Sequence, residues 1–213
     1  MSLSLDLMSN IKENVLKLHR EISNHNVTIV AVSKTYSLRE VRELYDQGIT
    51  NFGENRVEEL LSKKEQLSDL RINWHFVGNL QSNKVKKVIN SIDFLHSLDR
   101  LSVAKEINKY RDQPLRCFIQ VNISQEESKS GIKLSELPSF INSLKKYDKI
   151  LVVGFMTMGV INDLVKTEEV FKQLTKLTET IPYKELSMGM SDDYQLAIKH
   201  GATFIRIGRM LVR

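Results

Sequence analysis

A lysine at the end of an apolar run is the side chain in this sequence best placed for covalent chemistry. Residues 27–33 are apolar apart from Thr28 and Ser33, and Lys34 follows them directly. A lysine amine is normally a hydrated cation, but at the mouth of a buried strand its pKa can fall until the neutral amine is a nucleophile. Such an amine can form a Schiff base with an aldehyde. The alternative is that Lys34 only marks where the strand meets water, because strand ends are often charged.

Eight short apolar runs follow one another along the chain, and amphipathic segments separate them. Several runs are apolar throughout, which is typical of strands buried on both faces of a parallel sheet. The predicted strands cover residues 27–33, 50–53, 74–78, 94–97, 116–122, 151–156, 185–188 and 203–207. The predicted helices cover residues 3–23, 37–47, 55–67, 82–90, 99–110, 134–147, 163–180 and 192–200.

This alternation predicts an α/β fold, a single (β/α)8 TIM-type barrel with an extra N-terminal helix, in one domain over residues 1–213. No helix follows the eighth predicted strand, so the N-terminal helix is expected to cover that gap. A doubly wound open sheet is the alternative. It would need a Gly-rich turn after the first strand, where the sequence has Ser33-Lys34-Thr35-Tyr36 instead.

The composition is that of an ordinary soluble globular protein, with 41% hydrophobic and 27% charged residues among 213. No apolar stretch is long enough for a membrane span. The single cysteine, Cys117, lies within an apolar run and reads as a buried hydrophobic residue rather than a nucleophile. It has no partner for an intrachain disulfide, which favours a cytoplasmic location. The five histidines show no metal-ligand spacing, so we expect no metal site.

The net charge of +5 raises the possibility of nucleic-acid binding. Most basic residues are scattered among acids, as in Lys63-Lys64-Glu65. The densest cluster, Lys84, Lys86 and Lys87, has no interleaved aromatic residues that could stack on bases. A solvated helix face is the better interpretation, and we expect neither nucleic acid nor membrane as a partner.

In a barrel of this kind, functional groups lie on the loops that follow the strands. Seven of these eight loops carry polar groups that could face a small anionic ligand. Ser191 precedes the predicted helix 192–200 and could cap it, while free N–H groups and the helix dipole attract an anion. Gly189 and Gly208 let the backbone approach a phosphate closely. Ser191 and Gly208 together predict a phosphate site, although Ser191 alone would be read as a plain helix cap.

Arg206 is unusual because it lies inside the apolar run 204–207, where its permanent charge needs a partner or an opening. In a barrel it would point inward, toward the site at the rim. An arginine against a pyridine nitrogen keeps that nitrogen unprotonated and weakens the ring as an electron sink. Pyridoxal phosphate combines such a ring with an aldehyde and a phosphate. The alternative is an internal ion pair between Arg206 and a rim acid. Met156, at the end of the sixth strand, could line a ligand pocket.

Taken in order, the loops resemble those of the pyridoxal phosphate homeostasis protein family, which is similar to the barrel domain of fold-type III alanine racemases. The likeness runs from Val27 to Gly208. The matching strings are AVSKT (31–35), FGENR (52–56), WHFVG (74–78), LQSNK (80–84), HSLDR (96–100), VNIS (121–124), SKSG (128–131), GFMTM (154–158), LSMGMSDD (186–193) and RIG (206–208). The departures are Asn79, where the family usually has proline, and an end at Arg213 without the usual Phe-Gly and short tail.

The resemblance implies pyridoxal 5′-phosphate as cofactor, held as a Schiff base on Lys34. It also implies that Arg206 faces the pyridine nitrogen, that Ser191 and Gly208 hold the phosphate, and that Asn55 lines the cofactor.

Two classes of function follow from the resemblance. A racemase of fold-type III needs a second base, a tyrosine from a separate β-domain, for which this chain has no residues left. We therefore expect a non-enzymatic carrier or buffer of the cofactor that supplies apo-enzymes, as a monomer or weak homodimer. A weak amino-acid racemase is the alternative.

Overall fold

Eight parallel strands form a closed barrel in which each strand pairs with its neighbours in sequence and β1 pairs with β8. The structure, a computed structural model, describes residues 2–126 and 129–213, with the side chains of the first helix described from residue 10. The strands are β1 (Thr28–Val32), β2 (Asn51–Glu54), β3 (Asn73–Phe76), β4 (Phe94–Leu98), β5 (Leu115–Gln120), β6 (Ile150–Met156), β7 (Glu185–Ser187) and β8 (Phe204–Ile207). The predicted fold is confirmed, and the open sheet is excluded.

Helices surround the barrel and connect its strands. They are α1 (Ser2–Ile22), α2 (Leu38–Asp46), α3 (Val57–Gln66), α4 (Ser82–Val88), α5 (Leu101–Tyr110), α6 (Leu137–Leu144), α7 (Leu164–Thr180) and α8 (Tyr194–Lys199). Short 3₁₀ turns occupy Ile89–Ser91, Leu134–Glu136 and Arg209–Leu211. The predicted limits of α2 have a visible cause. Ser37 and Glu40 form a capping box at its start, and Gly48 takes a φ of +89° just after its end.

Helix α1 packs beside α2 and against the 3₁₀ turn that follows β8. Its Asn14 side chain donates a hydrogen bond of 2.9 Å to the Arg213 carbonyl, and its apolar face buries Ile11, Val15 and Leu18. The N-terminal helix thus covers the gap after β8, as predicted. Among the described residues, no helix has the length and apolar character needed to cross a membrane.

The strands have two differently filled faces. Their outer faces pack under the helices in one large apolar core, which includes the predicted buried Cys117. Inward-pointing side chains form a smaller cluster of Val30, Phe94, Phe118, Met156 and Phe204. Side chains alternate between faces along a strand, so β8 presents both Phe204 and, two residues later, Arg206 to the interior. This cluster of apolar side chains packs inside the barrel, and further polar groups lie at the carboxyl ends of the strands.

Candidate functional site

The loops at the carboxyl ends of the strands enclose a cavity of about 700 Å³. All six predicted ligand-binding residues line it: Lys34, Asn55, Met156, Ser191, Arg206 and Gly208. They come from five different strand ends, so only closure of the barrel brings them together. The position agrees with the rule that sites in such barrels lie at this end.

Lys34 lies in the turn just after β1, at the mouth of the cavity. Its side chain is exposed, so the burial that the strand position led us to expect is not found. No hydrogen bond or ion pair to another described residue engages its amine. The amine is therefore accessible to a ligand in the cavity.

Arg206 is at the opposite extreme, because only 5% of it is exposed. Its Nη1 donates to Ser187 Oγ at 2.7 Å, and its Nη2 donates to the Thr157 carbonyl at 3.0 Å. The expected alternative, an ion pair with a rim acid, is not formed with any carboxylate of the described residues. Burial lowers the pKa of Arg206 to about 10, and the charge of Asp193 works against that lowering. The guanidinium is thus a buried cation at the base of the cavity.

The predicted helix cap at Ser191 is wrong. Helix α8 begins at Tyr194, two residues later than predicted, and Asp193 occupies the cap position. The Asp193 carboxylate instead accepts a 2.6 Å hydrogen bond from the Met190 backbone N–H, which closes a turn over Ser191. With only six residues, α8 also has too short a dipole to carry the anion argument. The helix-based reason for a phosphate site at Ser191 therefore fails.

The loop geometry around Ser191 still suits an anion. Its hydroxyl lies 3.4 Å from the Gly208 N–H, which joins the loops after β7 and β8. The backbone N–H groups of Ser191, Asp192 and Arg209 donate to no acceptor within the described part of the chain. A Cβ added at Gly208 would meet only the Val32 carbonyl, at 4.0 Å, so the space above this glycine is open. Donors and free space thus occur together.

Asn55 and Met156 are the remaining predicted residues in the cavity lining, and they differ in their exposure to solvent. Asn55 is exposed and follows β2, whereas Met156 is 2% exposed and belongs to the apolar interior. The Asn55 backbone packs so closely on Gly78 that a Cβ there would lie 2.4 Å from the Asn55 carbonyl oxygen. Glycine at 78 is therefore a requirement for the position of the Asn55 loop.

Two histidines inside the barrel, His75 and His96, are fully buried, and their hydrogen-bond partners are side chains. His75 Nε2 lies 3.0 Å from Asn51 Oδ1, and His75 Nδ1 lies 2.9 Å from His96 Nε2. His96 Nδ1 lies 2.7 Å from Ser187 Oγ, which also accepts from Arg206. The polar contacts thus continue from the cavity into the barrel. Polar residues at inward positions of apolar strands were the available signal.

A buried ion pair was also missed. Lys63, which the sequence placed among scattered surface charges, donates to Glu54 Oε1 at 2.6 Å and to the Ser33 carbonyl. Ser33 Oγ donates to the same carboxylate oxygen at 2.7 Å. Glu54 is fully buried and Lys63 is 7% exposed. This cluster lies beside Lys34 and fixes the end of β1 against β2.

Comparison with known proteins identifies the relatives of this chain. The family model described as "Alanine racemase, N-terminal domain" matches residues 7–213. A pyridoxal phosphate homeostasis protein of Pseudomonas aeruginosa is 36% identical, over 96% of this chain and 95% of its own length. The chain belongs to the pyridoxal phosphate homeostasis protein family. The family resemblance inferred from the loop motifs is confirmed.

Solved structures of family members and of more distant proteins share the barrel. PipY of Synechococcus elongatus with PLP bound superposes with a TM-score of 0.86 at 31% identity, covering 95% of this chain and all of that one. Alanine racemase from Corynebacterium glutamicum gives 0.74 at 14% identity, which shows the fold alone, and covers 96% of this chain but 60% of the racemase. The barrel is thus common to both groups.

Asn79, which the sequence marked as a departure from the resemblance, makes hydrogen bonds to two neighbouring loops. Asn79 Nδ2 donates to Ser130 Oγ at 3.0 Å, and Arg100 Nη2 donates to Asn79 Oδ1 at 2.7 Å. The asparagine thus links the loops after three strands at the cavity edge. Ser128, at the start of the matching string SKSG, lies outside the described residues.

Proposed function

We propose that this protein binds pyridoxal 5′-phosphate as a Schiff base on Lys34 and acts in intracellular PLP homeostasis as a carrier or buffer. One observation carries the proposal. An accessible amine, Lys34, and the buried Arg206 guanidinium, which has no carboxylate partner among the described residues, line the same cavity. Membership in the homeostasis family and the PLP-bound structure of PipY support it.

The side chains of the cavity fit the three chemical parts of this cofactor. When bound, the cofactor supplies an aldehyde carbon for covalent attachment and an electron-withdrawing pyridine ring. Lys34 would take the aldehyde, and Arg206 would face the ring nitrogen. Ser191 and Gly208 would hold the phosphate, and Asn55 and Met156 would line the ring.

The charges of the lining favour a phosphate ester. Lys34, Arg206 and Arg209 are cationic, whereas Asp192 is the one acidic residue among the lining residues that the structure describes. The excess of positive charge attracts a dianion and lowers the cost of holding it. Because Arg206 is a donor and a cation, it opposes protonation of a ring nitrogen placed against it.

The same lining argues against turnover. A racemase of fold-type III needs a second base on the other face of the substrate, and no tyrosine lines the cavity in the described parts of the chain. A ring partner that opposes protonation also weakens the electron sink on which carbanion chemistry depends. We infer a binding role, with apo-enzymes as recipients of the cofactor, in a cytoplasmic monomer or weak homodimer.

Substitution of the lysine tests the attachment. Wild-type protein mixed with PLP should show Schiff-base absorbance, and borohydride reduction followed by peptide mass spectrometry should place the adduct on Lys34. Lys34→Ala should lose both signals. Lys84→Ala, which removes a rim lysine paired with Glu58 at 2.6 Å, should keep both. A reduced adduct on another lysine in the wild type, or absorbance that survives in Lys34→Ala, would refute the assignment.

A second measurement separates carrier from racemase. Solvent-deuterium exchange at the α-carbon of alanine should proceed no faster with the PLP-loaded protein than with free PLP. A rate well above that of free PLP would support the racemase instead.

A further inference from the structure

A continuous chain of polar side chains runs from the base of the cavity to the far end of the barrel. Its members are Arg206 on β8, Ser187 on β7, His96 on β4, His75 on β3 and Asn51 on β2. The four successive contacts measure 2.7, 2.7, 2.9 and 3.0 Å. Every link is within hydrogen-bond distance, so the chain is continuous across the barrel interior.

The chemistry of its first member sets the direction of the whole chain. A guanidinium has no acceptor, so Ser187 Oγ must accept from Arg206. The Ser187 hydroxyl proton can then go to His96 Nδ1. This leaves His96 with its proton on Nε2, which donates to His75 Nδ1. His75 in turn carries its proton on Nε2 and donates to Asn51 Oδ1. Ser187, His96 and His75 thus each donate one hydrogen bond, all in the same direction along the chain.

The opposite direction leaves groups unsatisfied. If His96 carried its proton on Nδ1, Ser187 would accept from both His96 and Arg206. Its own hydroxyl proton would then face no acceptor in the described residues, and buried donors without partners are costly. His75 would also present a lone pair to the Asn51 oxygen unless that amide were reversed. The one-way arrangement gives an acceptor to each of the donors of Ser187, His96 and His75.

Aromatic packing holds both imidazoles in place. His75 stacks on Phe94 with ring centroids 4.4 Å apart and planes 3° apart, and His96 stacks on Phe118 at 4.5 Å. Both histidines are fully buried. Burial, with Arg116 nearby, lowers the pKa of His75 to about 3, and burial also lowers the pKa of His96 well below its usual value. Both rings are therefore neutral, as the one-way chain requires.

We propose that Ser187, His96 and His75 are positioning residues that hold the Arg206 guanidinium at the base of the cavity through a one-way chain of hydrogen bonds ending at Asn51. Ser187 fixes Nη1 of the guanidinium, and the Thr157 carbonyl fixes Nη2. The histidines orient the Ser187 hydroxyl, so that it offers Arg206 its lone pair and never its proton. The chain does this without a carboxylate, which preserves the positive charge of Arg206 for a ligand.

The consequence for the cofactor rests on the proposed function. A guanidinium held in one orientation presents a fixed donor to a ring nitrogen, and pre-organisation of this kind improves affinity by reducing the ordering required on binding. Loss of Ser187 should therefore weaken the binding of pyridoxal phosphate, although Ser187 does not line the cavity.

The direction of the chain is measurable in the protein without cofactor. Long-range ¹H–¹⁵N NMR spectra of ¹⁵N-histidine-labelled protein at pH 7 should show His75 and His96 as neutral rings protonated on Nε2. A ring protonated on Nδ1 at either position would overturn the proposal. This experiment uses the wild-type chain and needs no ligand, so its result is independent of the proposed function.

A pair of serine variants tests the positioning role. Ser187→Ala removes the link, whereas Ser97→Ala removes another buried hydroxyl, one that has no partner among the described residues. In the cofactor-free protein, the slowly exchanging guanidinium N–H resonances of Arg206 should be lost in Ser187→Ala and kept in Ser97→Ala. The Kd for pyridoxal phosphate should rise about tenfold in Ser187→Ala and stay within twofold in Ser97→Ala.

The outcomes separate the two proposals. Guanidinium resonances that persist in Ser187→Ala, or an unchanged Kd in that variant, would contradict the positioning role. Failure of the wild-type protein to bind pyridoxal phosphate would instead contradict the proposed function, while leaving the NMR result intact. If Ser187→Ala does not fold, the histidine spectra of the wild type still decide the direction of the chain.

Discussion

Two buried cations in this barrel differ in their partners: Lys63 has a carboxylate counter-ion, and Arg206 is held by uncharged groups. Lys63 is neutralised by Glu54 at 2.6 Å, and Ser33 reinforces the pair. Arg206 is equally buried, yet its partners are a hydroxyl and a carbonyl, both uncharged. A buried charge without a counter-ion costs stability, and the cost is tolerated where a site uses the charge. This difference agrees with the proposal that Arg206 binds the ligand, whereas Lys63 has a structural role.

The largest effect is expected at the neutralised cation. Lys63→Ala leaves the fully buried Glu54 carboxylate without a counter-ion, and breaking a buried pair in this way costs about 3–5 kcal/mol. Urea denaturation should show that loss in the free energy of unfolding. The double variant Glu54→Leu/Lys63→Met replaces the pair with apolar groups and should recover most of it. A loss below about 1 kcal/mol in Lys63→Ala would contradict the assignment of a structural pair.

Acid should lower the free energy of unfolding through the other region, the two histidines of the hydrogen-bond chain behind Arg206. When folding lowers the pKa of a histidine, the unfolded state binds the proton at a higher pH than the folded state does, so acid favours unfolding. The stability it provides is present above the unfolded pKa of about 6.5 and is lost as the pH falls toward the folded value, about 3 for His75. Each of His75 and His96 should therefore cost about 1.4 kcal/mol at pH 5.5 relative to pH 8. Together they should cost nearly 3 kcal/mol.

The pH window keeps this measurement separate from the carboxylates. Hydrogen bonds from Lys199 and His200 lower the pKa of Glu168 to about 2, so its contribution is lost only below about pH 4.5. Asp193 acts in the opposite sense: burial raises its pKa, so its protonation on acidification favours the folded state. The stability gained from this one carboxyl cannot cancel the stability lost at two histidines. Urea denaturation from pH 8 to 5.5 measures the slope, and His75→Gln should reduce it by about half. A profile that is flat in the wild type would show that these rings are not buried as neutral groups.

The contrast between the two cations also marks what the sequence can and cannot predict. The strands were predictable to within one or two residues because strands buried on both faces are apolar throughout. The position of the cavity followed, since Lys34 and Arg206, which both line it, each lie near the carboxyl end of a recognisable strand. The signal in both cases was a charged residue next to apolar neighbours: Lys34 directly follows the run 27–33, and Arg206 lies within the run 204–207.

Contacts between side chains on non-adjacent strands were not predictable. The link from His96 on β4 to Ser187 on β7 crosses the barrel interior, and its register depends on how the sheet closes. Lys63 was read as a surface charge because its neighbours Lys64 and Glu65 are polar, and one helical position decides whether a lysine faces water or the sheet. The cap at Ser191 failed because Asp193, two residues later, competes for the same role.

The smallest effect on stability, and the sharpest test of the contrast, is expected at Arg206. Arg206→Met removes two hydrogen bonds but also removes the cost of a desolvated charge, so the free energy of unfolding should change by about 1 kcal/mol or less. Thermal denaturation with and without pyridoxal phosphate should separate the two variants. Arg206→Met should keep its stability and lose its response to the ligand, whereas Lys63→Ala should lose stability and keep the response. Ligand-induced stabilisation, which scales as RT ln(1 + [L]/Kd), should largely disappear in Arg206→Met. It should persist in Lys63→Ala, because Lys63 does not line the cavity. If both variants lost stability and ligand response together, the division between a structural cation and a ligand-binding cation would be wrong.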